Sequence, residues 1–214
     1  MFFTDSKAIG TLIYSVMVAV VTTIVCLLIA YPVAYLLAKG EFRRGNVLLM
    51  LFVMPMWINF TLRITALKEI LTLIEGNLAF HPFLNTMIGM TYDFLPFMIL
   101  PIYNTIAKID HSYIEAAKDL GAKSYRVFLR VILPLSIPGI ISGITMVFLP
   151  SMTNYVVLDM MYNSTYIMGS LVGSHFSMYD WNNGSVISMI LLILILLLST
   201  ITGEFSDKED NAYE

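Results

Sequence analysis

The sequence has few of the residues that a soluble enzyme uses for chemistry. Only 13% of its 214 residues are charged, whereas a soluble domain carries about a quarter. The single cysteine, Cys26, lies in an apolar run, so the chain has no internal disulfide and a small buried hydrophobe is expected there. The histidines at 81, 111 and 175 are too scattered to indicate a metal site. Ser, His and Asp occur together in residues 174–180, but proximity in sequence does not make a catalytic triad.

Long hydrophobic runs take the place of those residues. Hydrophobic residues make up 58% of the chain, and the mean hydropathy is +0.80. A hydrocarbon core of about 30 Å needs roughly 20 apolar residues of helix. Five predicted spans approach that length, namely 10–38, 47–62 with an extension towards 74, 82–107, 131–151 and 181–203. A sixth apolar region, 160–179, is expected to form a short or re-entrant helix. The sequence therefore predicts an all-α, polytopic membrane protein.

The lysines and arginines fall in alternate loops. Positively charged loops remain cytoplasmic, whereas the loops at 75–82 and 152–180 contain no basic residue. We therefore expect a membrane domain at 1–203 with its N-terminus outside the cell, followed by a cytoplasmic acidic tail at 204–214. The basic residues behind this prediction are Lys39, Arg43, Arg44, Lys108, Lys118, Lys123, Arg126, Arg130 and Lys208.

Prolines lie within the apolar segments or at their ends. Each one removes a backbone donor and frees a carbonyl. In lipid, such groups must be satisfied by neighbouring helices or by a water-lined cavity. This pattern favours a bundle with an internal pathway over a simple anchor. The prolines are Pro32, Pro55, Pro96, Pro101, Pro134, Pro138 and Pro150.

A charged, amphipathic segment, residues 110–130, separates the third and fourth spans. Gly121, near its middle, permits a sharply turning or left-handed backbone, so two short helices on the cytoplasmic surface are expected. The apolar residues expected to share one face are Ile114, Ala117, Leu120 and Tyr125. The ion pairs expected on the solvated face are Glu115 with Lys118 and Asp119 with Lys123. By these arguments alone, an ordinary interfacial helix remains an alternative.

The spacing of particular residues in this segment favours a more specific function. Glu115-Ala116-Ala117, then Gly121, then Val131 and Leu133-Pro134 resemble the signature loop of binding-protein-dependent ABC importer permeases. Val131 stands where the family usually has isoleucine, which is a small departure. In the family, this cytoplasmic loop seats in a groove of an ATPase and transmits its closing motion. We call the corresponding residues, about 108–130, the coupling segment. The resemblance implies an ATPase-coupling role for Glu115, Ala116, Ala117, Gly121, Leu133 and Pro134.

The resemblance extends over nearly the whole chain. Segments 31–39, 55–71, 94–110 and 180–188 are most similar to the first permease subunit of spermidine/putrescine importers. This implies a type I ABC importer transmembrane fold in a bacterial inner membrane, with polyamine import as its function. Family members typically have six spans, and the first of these precedes the spans found in this sequence, so five are expected. The implied partners are an ATPase dimer, a second homologous permease, an extracytoplasmic polyamine-binding protein and membrane lipid, but no nucleic acid.

An ATP-binding motif is missing from the sequence. No G-x-x-x-x-G-K-S/T pattern occurs, and "GAKS" at 121–124 lacks both the Gly-Lys pair and the upstream glycine. The chain is therefore expected to hold no cofactor, to be no enzyme itself and to depend on a separate ATPase.

Aromatic residues within the spans are candidates for a polyamine path, because ammonium groups bind to aromatic faces. Trp57 follows Pro55 at a predicted helix break, deep in the second span, and polar Asn59 comes soon after. Tyr103, near the cytoplasmic end of the third span, extends this path. A packing or interfacial role stays open for both aromatic residues.

Two carboxylates complete the candidate path. Asp93 lies inside the third span, where a carboxylate is costly unless it is paired or solvated. An ion pair with Arg63 is as compatible with the sequence as contact with a substrate. Asp159, at the outer end of the fourth span, either attracts cations or simply faces water.

Two other functions remain open from the sequence. The same importer class with Fe(III), thiamine or an oxyanion as cargo is one, although Asp93, Asp159 and Trp57 favour a cation. A membrane-embedded enzyme or assembly factor is the other. It would need a clustered nucleophile or a set of metal ligands within the spans, and the sequence indicates neither.

Overall fold

The computed structural model describes residues 6–40, 45–161 and 167–210, and every regular element within these ranges is helical. The all-α prediction is therefore confirmed. The α-helices are α1 (Ser6–Lys39), α2 (Gly45–Val53), α3 (Phe60–Glu75), α4 (Pro82–Lys108), α5 (His111–Asp119), α6 (Ser124–Val127), α7 (Leu133–Leu135), α8 (Ile137–Ser151), α9 (Tyr155–Met160), α10 (Met168–Ser177) and α11 (Trp181–Asp210). Met54–Trp57 and Leu78–Phe80 form 3-10 turns, and Phe128–Ile132 is π-helical.

The centre of the fold is built from α1, α4 and α8, which pack against one another. In α4, a buried apolar side chain recurs at every fourth residue, which places these side chains along one face of the helix. They are Met90, Phe94, Met98, Ile102 and Ile106. Small buried residues of α1, among them Ala30 and Ala34, complete the same core.

Two glycines of α8 let its backbone approach α4 closely. A Cβ on Gly139 would lie 2.5 Å from Thr105 Oγ1 and 2.8 Å from the carbonyl oxygen of Pro101. A Cβ on Gly143 would lie 2.7 Å from Met98 Sδ. Small residues at a spacing of four are typical of tightly packed helices in membranes. The contact between α4 and α8 thus depends on the lack of side chains at these two positions.

The predicted second span is broken in the structure. The helices at Val47–Trp57 and Phe60–Glu75 meet at an angle of 101°, so residues 47–74 do not form one straight crossing. Pro55 lies in the first two positions of the 3-10 turn, where its missing donor is tolerated. Asn59 then starts α3, because its side chain accepts a hydrogen bond from the Thr61 amide at 2.9 Å.

The predicted fourth span is also bent, by 61°, between residues 135 and 137. Pro134 and Pro138 each occupy one of the first two positions of a helix, α7 and α8 respectively. Ser136, between them, is buried, and its hydroxyl donates to the carbonyl of Leu133 at 2.8 Å. The bend therefore separates the π-helical segment from the helix that packs on α4.

Two helices of the described residues are long and apolar enough to cross a membrane, Ile9–Lys39 and Pro82–Lys108. There are four crossings if each bent pair counts as one span, and the apolar stretch Trp181–Ile193 of α11 is shorter than these. Five spans therefore remain a prediction. The region 160–179 contains the end of α9 and the short helix α10, although 162–166 lie outside the described residues. Helix α11 continues past the predicted boundary at 203 as far as Asp210, while 211–214 and the loop with Arg43 and Arg44 also lie outside.

Candidate functional site

Residues 110–130 contain two short helices, α5 and α6, joined at Gly121 as predicted, and a π-helical segment follows α6. Asp110 starts α5, since its carboxylate accepts a hydrogen bond from the Ser112 amide at 2.9 Å. This hydrogen bond favours the charged form and lowers the pKa of Asp110. The helix ends at Gly121, whose φ is +79°, with hydrogen bonds from Gly121 N to Lys118 O and from Ala122 N to Ala117 O. These two bonds form a Schellman motif, so the turn predicted at Gly121 is confirmed.

The inner side of this segment is anchored to the cytoplasmic end that we predict for α1. Ile114 of α5 and Val127 of α6 are buried. Lys39, the last residue of α1, donates from Nζ to the carbonyl of Ile109 at 2.6 Å. The ring of Phe128 lies edge-on to Tyr31 and Tyr35 of α1, with centroid distances of 5.8 and 5.4 Å. The residues that flank α5 and α6, Ile109 and Phe128, therefore both contact α1.

The outer side carries three of the residues that matched the signature loop, together with Leu120. Glu115, Ala116 and Gly121 are exposed, and Leu120 has 89% of its surface exposed. We call these four residues the coupling surface. The prediction that Leu120 and Tyr125 lie on one face with Ile114 is wrong, because both are exposed while Ile114 is buried. The Schellman turn interrupts the helix after residue 119, so helical spacing does not continue across it.

Next to the coupling surface, a groove of about 300 Å³ separates α5 from the π-helical segment. Its lining includes Ala117, Leu120, Gly121, Arg126 and Val131. Leu133 and Pro134 follow in α7 and are half-buried immediately before the 61° bend. The matched residues thus lie on one continuous stretch of chain. It begins at the exposed coupling surface and ends at the 61° bend between α7 and α8.

The charges of this segment pair differently from the prediction. Glu115 contacts His111 Nδ1 at 3.0 Å, one helical turn away, rather than Lys118. Both side chains are about two-thirds exposed, at 66% and 67%. Asp119 ends α5 and Lys123 follows the Gly121 turn, so the helical spacing on which that predicted pair depends is absent. An exposed pair of this kind contributes little to stability.

A second polar site lies inside the helical bundle. Arg63 of α3 and Asp93 of α4 form a salt bridge from Nη2 to Oδ1, with only 7% and 6% of their side chains exposed. The other carboxylate oxygen of Asp93 accepts a hydrogen bond from Asn154 Nδ2 at 3.4 Å. The guanidinium carbon of Arg63 lies 5.7 Å from the centroid of the Tyr92 ring. The ion pair that the sequence left open is therefore present in this conformation.

The remaining candidate path residues lie on separate elements. Trp57 ends the 3-10 turn at the break between α2 and α3 and is 83% exposed in this chain. Tyr103 is buried in α4, roughly 15 Å along the helix axis from Asp93. Asp159 is exposed on α9, which is a separate short helix after the predicted fourth span. Asn59 uses its side-chain oxygen to cap α3.

Sequence reasoning missed Asn154, although this residue contacts Asp93. The two are 61 positions apart, so no helical or strand spacing connects them. Tyr92 was missed as well, because a tyrosine next to an intramembrane aspartate has no pattern of its own. Only the packing of α9 beside α3 and α4 brings these groups together.

Comparison with known proteins agrees with the architecture. Residues 30–206 match the family described as binding-protein-dependent transport system inner membrane component. The chain is 40% identical to the spermidine/putrescine transport system permease protein PotB of Haemophilus influenzae, over 83% of this chain and 68% of that protein. It is 34% identical to PotB of Escherichia coli, over 91% of this chain and 76% of that protein.

Solved structures share the fold at low sequence identity. The MetNI methionine ABC transporter in an inward-facing conformation aligns with a TM-score of 0.66 and 17% identity, covering 95% of this chain and 98% of that one. An amino acid ABC transporter aligns with a TM-score of 0.65 and 14% identity, covering 94% and 92%. The fold is therefore that of an ABC transporter transmembrane domain. Together with the match over residues 30–206, this shows that the chain belongs to the family of inner membrane components of binding-protein-dependent transport systems.

Proposed function

We propose that this chain is one permease subunit of an ATP-driven importer and that its cargo is a polyamine, spermidine or putrescine. The observation that carries the permease function is the exposed coupling surface, with its Gly121 turn, on a segment anchored to α1. The cargo is proposed because the PotB proteins, 34–40% identical over most of the chain, are named for spermidine and putrescine. Of these two proposals, the polyamine cargo is more specific than the permease function.

The proposed partner of the coupling surface is a cytoplasmic ATPase dimer. Leu120 has an apolar side chain that is 89% exposed, and burial in a partner would remove that apolar area from water. Ala116 is exposed and small, which allows close approach of another backbone. Glu115, Ala117, Leu133 and Pro134 would then join this contact to the bend before α8.

The proposed topology has five spans, the N-terminus outside the cell and the C-terminus in the cytoplasm. It is supported by the position of Lys39 and Lys108 at the ends of α1 and α4, next to the coupling segment. A second homologous permease, lipid and an extracytoplasmic binding protein complete the proposed assembly. The binding protein would meet the side that carries the turn between α3 and α4.

For the cargo path, the structure favours Trp57 and Asp159 over the other candidates, since both side chains are exposed. The charge of Asp93 is neutralised by Arg63, so the buried pair has no net charge to attract or repel a cation. Asn59 is occupied as a helix cap, and Tyr103 is buried. We therefore propose Trp57 as the first residue to test.

The function is tested by purifying the tagged chain in mild detergent from its own host and reconstituting the complex. We expect an ATPase and a second permease to copurify, and the proteoliposomes to import spermidine when the binding protein is added. Uptake of thiamine, Fe(III) or an oxyanion, with no uptake of spermidine, would overturn the polyamine cargo. A stable chain that copurifies with no ATPase would overturn the permease function.

The role of Trp57 is tested by Trp57→Leu and Trp57→Phe. A cation–π contact that is desolvated is worth about 2 kcal/mol, which is roughly thirtyfold in uptake. Leucine removes the ring, whereas phenylalanine keeps a weaker aromatic face and should recover part of the loss. Uptake is measured per assembled complex. Equal uptake by both variants would remove Trp57 from the cargo path.

A further inference from the structure

The residue before α9 does not perform the role expected from its position. Asparagine at a helix N-cap usually accepts a hydrogen bond from an amide of the first turn. Asn154 occupies the N-cap of α9, but its side chain caps no amide of that helix. Its Nδ2 instead donates to Asp93 Oδ2 at 3.4 Å. The side chain therefore links α9 to α4 in place of stabilising its own helix.

Asp93 thereby joins three helices. One of its oxygens is bonded to Arg63 of α3 and the other to Asn154 of α9. Helix α3 follows the 101° bend, and its far end is tied to α4 by a hydrogen bond from Asn85 Nδ2 to Glu75 Oε2 at 2.9 Å. The cluster of Arg63, Asp93 and Asn154 thus connects both the bent pair and α9 to the central helix α4.

The cluster is incompletely satisfied. Arg63 Nε and Nη1 are buried, and no described residue accepts a hydrogen bond from either of them. Buried donors without an acceptor are costly, and a partly satisfied polar cluster stabilises a packed structure less than a complete one. An arrangement of this kind suits an element that exchanges between two discrete packings during a conformational cycle.

We propose that Arg63, Asp93 and Asn154 form a conformational latch, which is closed in this conformation and opens in another state of the transport cycle. The latch rests on the proposed transport function. It makes Arg63 and Asn154 positioning residues that act through the orientation of α3 and α9 and not through contact with the cargo.

Asn154→Ala removes the link from α9 while it leaves the buried ion pair intact. The matched control is Thr65→Ala, which loses only an exposed hydrogen bond to the carbonyl of Thr61 within α3. In the reconstituted complex, loss of one hydrogen bond should favour the open state and raise ATP hydrolysis without binding protein roughly fivefold. The KM for spermidine should not change.

Three results of this experiment would overturn the latch. A raised KM with unchanged basal hydrolysis would indicate contact with the cargo. Reduced assembly, with normal hydrolysis per complex, would indicate a structural role alone. Activities equal to those of Thr65→Ala would show that the link does not affect the cycle.

A distance measurement tests the opening directly. Spin labels at Thr65→Cys and Tyr155→Cys would report on α3 and α9, where both residues are exposed, in a Cys26→Ala background that removes the only native cysteine. We expect the distance in the assembled complex to differ between the nucleotide-free and the ATP-trapped states. If the distance is unchanged in a complex that imports spermidine, the latch proposal is wrong but the proposed function stands. If no ATPase copurifies and no uptake occurs, the proposed function itself is wrong.

Discussion

The buried cluster of Arg63, Asp93 and Asn154 and the coupling surface on α5 both carry charge, but their surroundings differ. Less than a tenth of the Arg63 and Asp93 side chains is exposed, whereas Glu115 and its partner His111 are about two-thirds exposed. In the first region each charge depends on a specific neighbour, because water cannot replace it. In the second, water replaces any lost partner at little cost.

This contrast separates two ways in which polar residues serve a membrane protein. The buried charges fix the relative positions of α3, α4 and α9, so they mainly affect the stability of the chain itself. The coupling surface contributes little to the chain's own stability, and the role proposed for it depends on its shape and on the apolar side chain of Leu120. Mutations in the two regions should therefore fail in different assays.

The largest effect is expected when one partner of the buried pair is removed. Asp93→Asn or Arg63→Gln leaves an unpaired buried charge, which destabilises by about 3–5 kcal/mol. We expect either single variant to lose most of the folded chain in detergent, as measured by yield and thermal unfolding. The double variant Arg63→Gln with Asp93→Asn is neutral and should recover much of the folded protein.

The double variant also decides the role of Asp93 in transport. If Asp93 serves only the ion pair, assembled complexes of the double variant import spermidine. If its charge contacts the cargo, uptake stays low although assembly recovers. A double variant as unstable as the two single variants would contradict the view that charge pairing dominates this site.

On the exposed side, the next largest effect should appear in ATPase binding. Ala116→Trp places a large ring in the centre of the coupling surface, and disruption at the centre of an interface costs about 2–4 kcal/mol. The chain should remain folded in the membrane while it loses the ATPase in copurification. Ala107→Trp, on an exposed position of α4, is the control. Normal transport with Ala116→Trp would show that this surface does not contact the ATPase.

Uncharged positions allow the same comparison between a packed and an open site. Gly139→Ala places a methyl group against Thr105 and Pro101, and such overpacking costs about 1–3 kcal/mol. Gly173→Ala, in α10, meets no atom within 4 Å and should stabilise by up to about 1 kcal/mol through helix propensity. Thermal unfolding in detergent should therefore shift in opposite directions. Shifts of the same sign would mean that α8 does not pack on α4 as closely as the structure indicates.

Local patterns made part of this structure predictable from the sequence. The apolar runs predicted α1 and α4, and Gly121 predicted the turn between α5 and α6 because only a residue without Cβ readily adopts its φ of +79°. The exposure of Leu120 was not predictable in the same way. Leu120 lies between the end of α5 at Asp119 and the turn at Gly121. The helical periodicity that predicts a shared face with Ile114 therefore no longer applies to it.

Contacts between distant segments were beyond the reach of these patterns. The sequence left two roles open for Asp93, an ion pair with Arg63 or contact with a substrate. Only the packing of α3 on α4 shows that the ion pair forms. Asn154 comes from a turn whose sequence indicates only a helix start. The 101° bend is similar, since Pro55 marks a break but does not set its angle. Tertiary packing determines each of these features.

The smallest expected effect concerns the start of the coupling segment and depends on pH. The pKa of Asp110 is lowered because its carboxylate accepts a hydrogen bond from the Ser112 amide. The Asp110 side chain is fully exposed. A carboxyl group whose pKa is lowered by folding stabilises the folded state above its unfolded pKa, and this stabilisation is lost as the pH falls through the folded pKa. The start of α5 should therefore loosen below about pH 4.

Asp110→Asn keeps an acceptor oxygen that does not titrate, so the α5 helix of this variant should lack the pH dependence. Hydrogen exchange of residues 111–119, compared between the two proteins at each pH from about 3 to 6, measures the difference. The same pH dependence in both would show that the Asp110 carboxylate does not stabilise the start of α5.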